Sequence, residues 1–394
     1  MVWAAWEAWA SRACFSPLES FEYFWAVGFT ARRSFFMTTS FSDALLPWYH
    51  ACKRDMPWRE TSDPYAIWVS EIMLQQTRVT TVIPFFTNWM EKFPTVGELA
   101  IADLDDVLAA WTGLGYYSRA RNLHKGANYV VNNHHGVIPD TADALRLIPG
   151  IGPYTAGAIS SIAFGKQEAL VDGNVIRVLA RVFDIDDNIA TATAKKRFWA
   201  TARNLAPAES PGDFNQGLME LGATLCLPKN SRCPECPLGD RCAALKKGVI
   251  AERPVKTKRP RKEEKQVLKR AALFAERDQK ILLAKRPEEG LYGGLWELPL
   301  AKDKKALVAK TTGSVEFANG KEIDYQQELS HRVLNYRVWR AKMSGEFRCS
   351  EYQSVAWHDF SALPSLGLST ATKNIIEKMT NPRKTSGQQK EPNV

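Results

Sequence analysis

Nowhere does the sequence keep the roughly 18 uninterrupted apolar residues that a membrane-spanning helix needs, so no spanning segment and no membrane partner are expected. Cysteine is scarce, with seven in 394 residues and four of those between 226 and 242. That excludes a secreted disulfide framework and implies a reducing compartment, such as the cytoplasm of a bacterium or the nucleus or mitochondrion of a eukaryote. Acidic residues are in deficit, 43 against 52 Lys and Arg, for a net charge of +9 that favours a polyanionic partner. The deficit is uneven. Residues 1–245 carry −3, residues 246–265 carry +6 and residues 266–394 carry +6. Low complexity is missing too: at 45% hydrophobic and 24% charged the chain is ordinary globular protein, long enough for two or three domains.

Residues 1–36 hold four Trp, six Phe and one Tyr, broken by Glu7, Arg12, Glu19, Glu22, Arg32 and Arg33. Three acids against three bases do not make a transit peptide. The segment reads as a non-functional extension ahead of a start at Met37, with a partner-binding or membrane-surface segment as the rival. From Phe41 to about Lys246 apolar residues recur at helical spacing, as in Val82 to Phe93, Leu104 to Leu114 and Val175 to Phe183, which predicts an all-α domain over 37–245. Residues 246–265, rich in Lys, Arg and Pro, have little to bury and read as an exposed linker. Short runs then follow at Leu268 to Ala275 and Ile281 to Ala284, and Val, Tyr and Trp alternate in Arg332 to Lys342. With a helix near Thr372 to Met379, they predict an α+β domain over 266–380. A polar tail from 381 to 394 is expected to be disordered.

The strongest local signal is Cys226-x6-Cys233-x2-Cys236-x5-Cys242. Four thiolates so close need a cation, and one Cys-x2-Cys unit flanked by wider gaps points to a 4Fe-4S cluster ahead of zinc or unligated thiols. In Leu147-Ile-Pro-Gly150-Ile-Gly152-Pro-Tyr154 two glycines permit a sharp turn that brings backbone amides to a surface. That suits a DNA phosphate, though a plain helix connection has the same look.

Glu71 is the one charged residue between Asp63 and Arg78, and on a helix Ile67 and Leu74 flank it on an apolar face. Burial there raises a carboxyl pKa toward general-acid work; the plainer reading is a core carboxylate. Asp172, in Val171-Asp-Gly-Asn-Val175, stands where an N-cap belongs, and a carboxylate fixed there is also able to face developing positive charge. Gly113-Leu-Gly-Tyr116-Tyr117-Ser-Arg119-Ala-Arg121 sets two rings after a glycine turn and two arginines at the next helix. It reads either as an aromatic wedge beside phosphate-binding arginines or as core packing.

In this order Glu71 with Gln75-Gln76-Thr77, the Gly-Leu-Gly-Tyr-Tyr turn, the hairpin, Val-Asp-Gly-Asn-Val and the four cysteines resemble the helix-hairpin-helix DNA glycosylases. More closely the chain is similar to the MutY family of adenine glycosylases, from about Phe41 to Lys378. The resemblance implies an all-α helix-hairpin-helix domain with a 4Fe-4S loop, followed by an α+β Nudix-like domain. It implies a monomer, acting on double-stranded DNA, that removes a flipped-out adenine mispaired with 8-oxoguanine or guanine.

Bifunctional relatives carry a lysine after the hairpin; here that place is Tyr154, so efficient strand cleavage is not implied. By position, Glu71 would protonate adenine N7 and Asp172 would stabilise the oxocarbenium ion, a logic parallel to paired glycosidase carboxylates. Tyr154 and Asn174 would orient them. Arg54 and Gln216 would contact adenine, Gly150 and Gly152 the DNA backbone, and Tyr116, Gln76 and Met56 the space beside the opposing base. Leu329-Ser330-His331 aligns with a Phe-Ser-His loop that reads 8-oxoguanine, departing at its first residue. The Nudix metal helix, Arg-Glu-x2-Glu-Glu, is missing, so nucleotide hydrolysis is not expected.

Overall fold

The computed structural model describes residues 40–257, 265–329 and 331–381. The extension over 1–36, linker residues 258–264, Ser330 and the tail from 382 lie outside them. The helical region runs through α1 (Phe41–Cys52), α2 (Pro64–Leu74), α3 (Val79–Lys92), α4 (Val96–Ile101), α5 (Leu104–Ala110) and α6 (Ser118–His134). It continues through α7 (Ala142–Leu145), α8 (Pro153–Phe164), α9 (Gly173–Val182), α10 (Ala192–Leu205), α11 (Pro211–Thr224) and α12 (Ala243–Lys246). No helix among the described residues is long and apolar enough to cross a membrane.

Contact density divides the chain into two compact units. The first takes residues up to Ser62, Asp140–Ala142 and Pro153–Thr257; the second takes Asp63–Pro139, Asp143–Gly152 and everything from Lys258. The helical stretch expected as one domain is thus shared between them.

In the first unit, α9 presents Val175, Val178, Leu179 and Val182 at three- and four-residue spacing, and all are buried with Phe198 of α10 and Phe214 and Leu218 of α11. Gly222 lets α11 approach the start of α9, since a Cβ there would stand 2.6 Å from the Asn174 Cβ. The expected linker is not wholly exposed. Residues 246–257 fold back on this unit: the Ile189 amide donates to the Val255 carbonyl at 3.1 Å, and Asp184 pairs with Lys247 and Arg253, each at 2.7 Å. Its basic residues there are partly consumed by a structural role that composition does not reveal.

In the second unit, α2 begins at Asp63, which accepts from the Tyr65 and Ala66 amides, with Pro64 at the first helical position. Every residue from Tyr65 to Met73 is buried, so α2 is a central helix. Gly126 of α6 is required by its neighbours: a Cβ would lie 2.7 Å from the Trp68 ring and 2.9 Å from the Pro149 carbonyl.

The α+β part of the second unit has strands β1 (Gln266–Arg277), β2 (Lys280–Lys285), β3 (Trp296–Glu297) and β4 (Leu300–Ala301), then helix α13 (Lys304–Ala309). Strands β5 (Val315–Phe317), β6 (Ile323–Glu328), β7 (Arg332–Met343) and β8 (Ser354–Asp359) and helix α14 (Thr370–Thr380) complete it. The sheet order is β3-β2-β1-β7-β5, with β4 on β1, β6 on β7 and β8 on β2. β1 and β7 pair in parallel from Gln266↔Arg332 to Ala275↔Ala341; the other pairings are antiparallel. The turn between β1 and β2 has Asp278 and Gln279 both left-handed, as a two-residue hairpin demands. Alternation sends Phe274, Tyr336 and Val338 to one core with α14, and Leu273, Ala341 and Met343 to another with Leu307 of α13.

Candidate functional site

In the second unit, Glu71 lies on α2 and is 5% exposed, as its apolar surroundings predict. The chain leaves α2 through Gln76, which holds a left-handed backbone (φ 58°) and is exposed. Tyr116, in the Gly-Leu-Gly-Tyr-Tyr turn, is also left-handed (φ 49°) and 47% exposed. Non-glycine residues held there carry strain that the surroundings must maintain.

Arg119 does so. Buried at the start of α6, its Nη1 donates to the carbonyls of Ile72 (2.9 Å), Met73 (2.8 Å) and Gln75 (2.6 Å). Its Nη2 donates to Thr77 Oγ1 and to the carbonyls of Leu114 and Gly115, each at 3.1 Å. One guanidinium therefore ties the end of the Glu71 helix to the aromatic turn, and burial lowers its pKa to about 10, still charged at neutral pH. Of the two readings of this segment, Arg119 follows that of core packing. Arg121 is likewise engaged, donating to the Gly293 carbonyl at 2.6 Å, and Tyr117 is buried with its hydroxyl on the Leu368 carbonyl at 3.1 Å. Of the pair of rings, Tyr116 is the exposed one.

The hairpin is as expected at Gly150, which is left-handed (φ 86°) and whose Cβ would meet the Asn122 Cβ at 2.8 Å. Gly152 faces open space, leaving its backbone accessible.

In the first unit, Asp172 both caps α9 and is locked in place: Oδ1 accepts from the Val175 amide at 2.7 Å and Oδ2 from Asn174 Nδ2 at 2.9 Å. Burial raises its pKa, against the opposing pull of those hydrogen bonds and Arg177. The Asn174 Oδ1 accepts from Arg177 Nη2 at 2.7 Å, and Arg177 also donates to the carbonyls of Gly222 (2.7 Å) and Cys226 (2.6 Å). A chain of hydrogen bonds thus joins the first cysteine's backbone to the Asp172 carboxylate. The Tyr154 hydroxyl donates to the Met219 sulfur at 3.2 Å.

Arg54 forks onto Glu220 at 2.6 and 3.0 Å, and Arg59 reaches the same carboxylate at 2.8 Å. Burial alone would raise the Glu220 carboxyl, yet the two arginines hold it below its ordinary value. Glu220 follows Gln216 by four residues, so both project from one face of α11. Sequence reading singled out Arg54 and Gln216 and missed Glu220, whose signal was that spacing. Met56 is 4% exposed, a packed side chain.

The four cysteines between 226 and 242 are free thiols lining one small apolar cavity with Val178 and Leu221. Burial first, and then the charges of Cys226, Cys242 and Cys233, push Cys236 up to about 11, so deprotonating the set calls for a bound cation. Arg181 Nη1 stands 3.2 Å from Cys226 Sγ and binds Leu227 O and Ser231 Oγ at 2.7 and 2.8 Å. The donor chemistry fits an iron–sulfur or zinc group, although among the described residues no three His, Cys, Asp or Glu side chains converge as a ligand set.

The second unit also holds a cavity of about 610 Å³, lined by Tyr116 and Arg121 on one side and Tyr292, Leu329, His331 and Arg332 on the other. Leu329 packs on the Phe274 and Tyr336 core, so the aliphatic residue at this place serves the fold. Ser330 is outside the described residues.

Residues 69–203 match the HhH-GPD superfamily base excision DNA repair protein, and residues 270–378 match the NUDIX domain. Over 86% of this chain the sequence is 35% identical to a human adenine DNA glycosylase, covering 73% of that protein. It is 39% identical to the mouse adenine DNA glycosylase over 86% of this chain and 77% of the relative. It is 32% identical to an adenine DNA glycosylase of Buchnera aphidicola subsp. Baizongia pistaciae over 87% of this chain and 97% of that protein.

Proposed function

Because the chain belongs to the adenine DNA glycosylases of the MutY family, we propose that it hydrolyses the N-glycosidic bond of adenine mispaired with 8-oxoguanine or guanine. The enzyme is an adenine DNA N-glycosylase of base-excision repair. Its target adenine is flipped out of the duplex, and the enzyme acts as a monomer without efficient strand cleavage. The observation that carries this reading is the half-buried Asp172 carboxylate, fixed by two hydrogen bonds at the start of α9.

Glu71 gives a proton to adenine N7 as the C1′–N9 bond breaks and the bonding pair leaves with the base. Asp172 stabilises the positive charge left on the sugar, and water then adds to C1′ while its proton passes to Glu71. Tyr154 and Asn174 orient these groups. Arg54, held by Glu220, and Gln216 on the same face of α11 support adenine recognition. Tyr154 at the post-hairpin position supplies no amine for a Schiff base. Gly150 and Gly152 offer backbone amides to phosphate. Tyr116, Gln76 and Met56 serve the space beside the opposing base. The cavity between Tyr116 and the loop from Leu329 to His331 fits that base, with Ser330 and His331 reading 8-oxoguanine.

Cys226, Cys233, Cys236 and Cys242 would hold a 4Fe-4S cluster, which when bound supplies the positive charge that makes four closely packed thiolates tolerable. Purified protein should be yellow-brown with about four iron atoms per chain. Colourless protein carrying one zinc refutes the cluster.

Glu71→Gln tests the mechanism: single-turnover release of adenine should slow by roughly 10²- to 10⁴-fold while mispaired duplex still binds. Undiminished release would overturn the assignment of the general acid.

A further inference from the structure

The second unit carries a groove of about 700 Å³ on its α+β part that the reaction above does not use. Its floor follows from strand register. Lys269, Asn335 and Gln326 form one row across β1, β7 and β6, and Ala271, Arg337 and Asp324 form the next. Rows two residues apart share a face. Farther along that face Leu273 is covered by Leu307 of α13, whereas Lys269 and Arg337 are exposed and nothing among the described residues roofs them. Lys302 and Lys304, at the corner from β4 into α13, stand at the rim.

Four cations, Lys269, Lys302, Lys304 and Arg337, therefore border the groove against Asp303 and Asp324. Asp303 is engaged as the cap of α13, accepting from the Ala306 amide at 2.8 Å. Among the described residues no acid pairs with Lys269, Lys302 or Lys304, and the nearest acids to Arg337 are Glu322 at 3.9 Å and Asp324 at 4.0 Å. Lys304 lies over the Phe317 ring at 4.2 Å, and Lys304 and Arg337 flank Trp339 at 6.0 and 5.8 Å. Lys304, held by rings rather than by a carboxylate, keeps its charge available to an anion, while Arg337 shares its charge with two carboxylates at the outer limit of ion-pair distance.

The same strands lead to the turn at 329–331, which borders the cavity beside Tyr116. Arg337 lies six steps along the chain from His331, roughly 20 Å on a strand or about six base-pair steps of duplex. We propose that this groove is a second contact for the DNA backbone, engaging phosphates of duplex about half a helical turn from the mispair on one side. The occupant is duplex DNA because the charge is matched to it and because β6 and β7, which floor the groove, end next to Leu329 and His331 beside that cavity. The proposal rests on DNA being the substrate, which the family fixes, and not on the choice of opposing base.

The test uses the full chain carrying Lys269→Gln, Lys304→Gln and Arg337→Gln, with binding to mispaired duplex measured across a salt series. Three lost phosphate contacts should flatten the slope of log affinity against log salt by about 2 to 3, and each single change by about 0.9. The single variants answer the question should the triple variant not fold. The loss should require duplex beyond about six base pairs on one flank and vanish when that flank is cut to about four. An unchanged slope overturns the proposal. So does an equal loss from Lys280→Gln, Lys321→Gln and Lys373→Gln, exposed lysines elsewhere on this part, because net charge would then suffice. Unchanged DNA binding with loss of a polyglutamate peptide assigns the groove to an acidic protein and also overturns it.

Discussion

Asp172 begins α9 by accepting the Val175 amide, and the burial that accompanies this raises its pKa. The folded state therefore binds a proton more readily than the unfolded chain, so this group's contribution to stability falls as pH rises from the ordinary aspartate range through the raised folded value. Chemistry needs the carboxylate form, so adenine release should rise with pH along a limb lying above an ordinary aspartate pKa. Asp172→Asn should cost roughly 10²-fold or more in single-turnover rate. Melting curves from pH 4 to 7 should show the variant gaining on the wild type as pH rises. A variant that loses ground over that range would mean that the carboxylate stabilises the fold. Cap and catalytic candidate were both legible here because the signal is local: an acid one residue before a helical stripe. Glu220 and Arg119 were not, since their meaning lies in partners 166 and about 45 residues away.

Arg119 acts on elements rather than on a reacting atom. Its fork holds the end of α2 and the turn before α6 together, and with them the left-handed backbones of Gln76 and Tyr116. Lysine keeps the charge but cannot reproduce a planar fork, so Arg119→Lys leaves several buried acceptors without a donor. A loss on the order of 3 kcal/mol is expected. Thermal melting measures it, and stability within about 0.5 kcal/mol of wild type would refute the tie. Helical periodicity marked α3, α5 and α9, while α2 and α6 were placed only as the helix carrying Glu71 and the helix after the glycine turn. It was silent on what joins them, and on residues 246–257, where a basic, proline-bearing stretch packs through Val255 and Arg253 despite its composition.

Across the whole molecule the helical and α+β parts of the second unit are docked to one another. Asp105 on α5 pairs with Lys285 of β2 at 2.8 Å and accepts from Trp296 Nε1 at 3.3 Å. Gly367 is required there, because a Cβ would come to 2.6 Å of the Leu108 Cβ. The turn bearing Tyr116 and the turn at 329–331 thereby belong to one body. Loosening it with Asp105→Asn or Lys285→Met should shrink the preference for 8-oxoguanine over guanine opposite adenine, read as the ratio of single-turnover rates. Exchanging the charges, with Asp105→Lys and Lys285→Asp together, should restore part of it. A ratio unmoved by either single change would show that the ion pair does not set the loop. None of this was visible in the sequence, where Asp105 and Lys285 are two ordinary surface-type charges 180 residues apart.

The parallel pairing of β1 with β7 bears on how the chain is made. β1 leaves the ribosome more than fifty residues before β7, so its β7-facing edge waits for that partner at the stage when unpaired strands invite association between chains. Leu108, fully buried beside Gly367, waits longer still, for a segment made well after β7. A helical fragment prepared alone would therefore display the apolar seat of its missing companion, and its solubility would report on that seat rather than on the fragment's own fold.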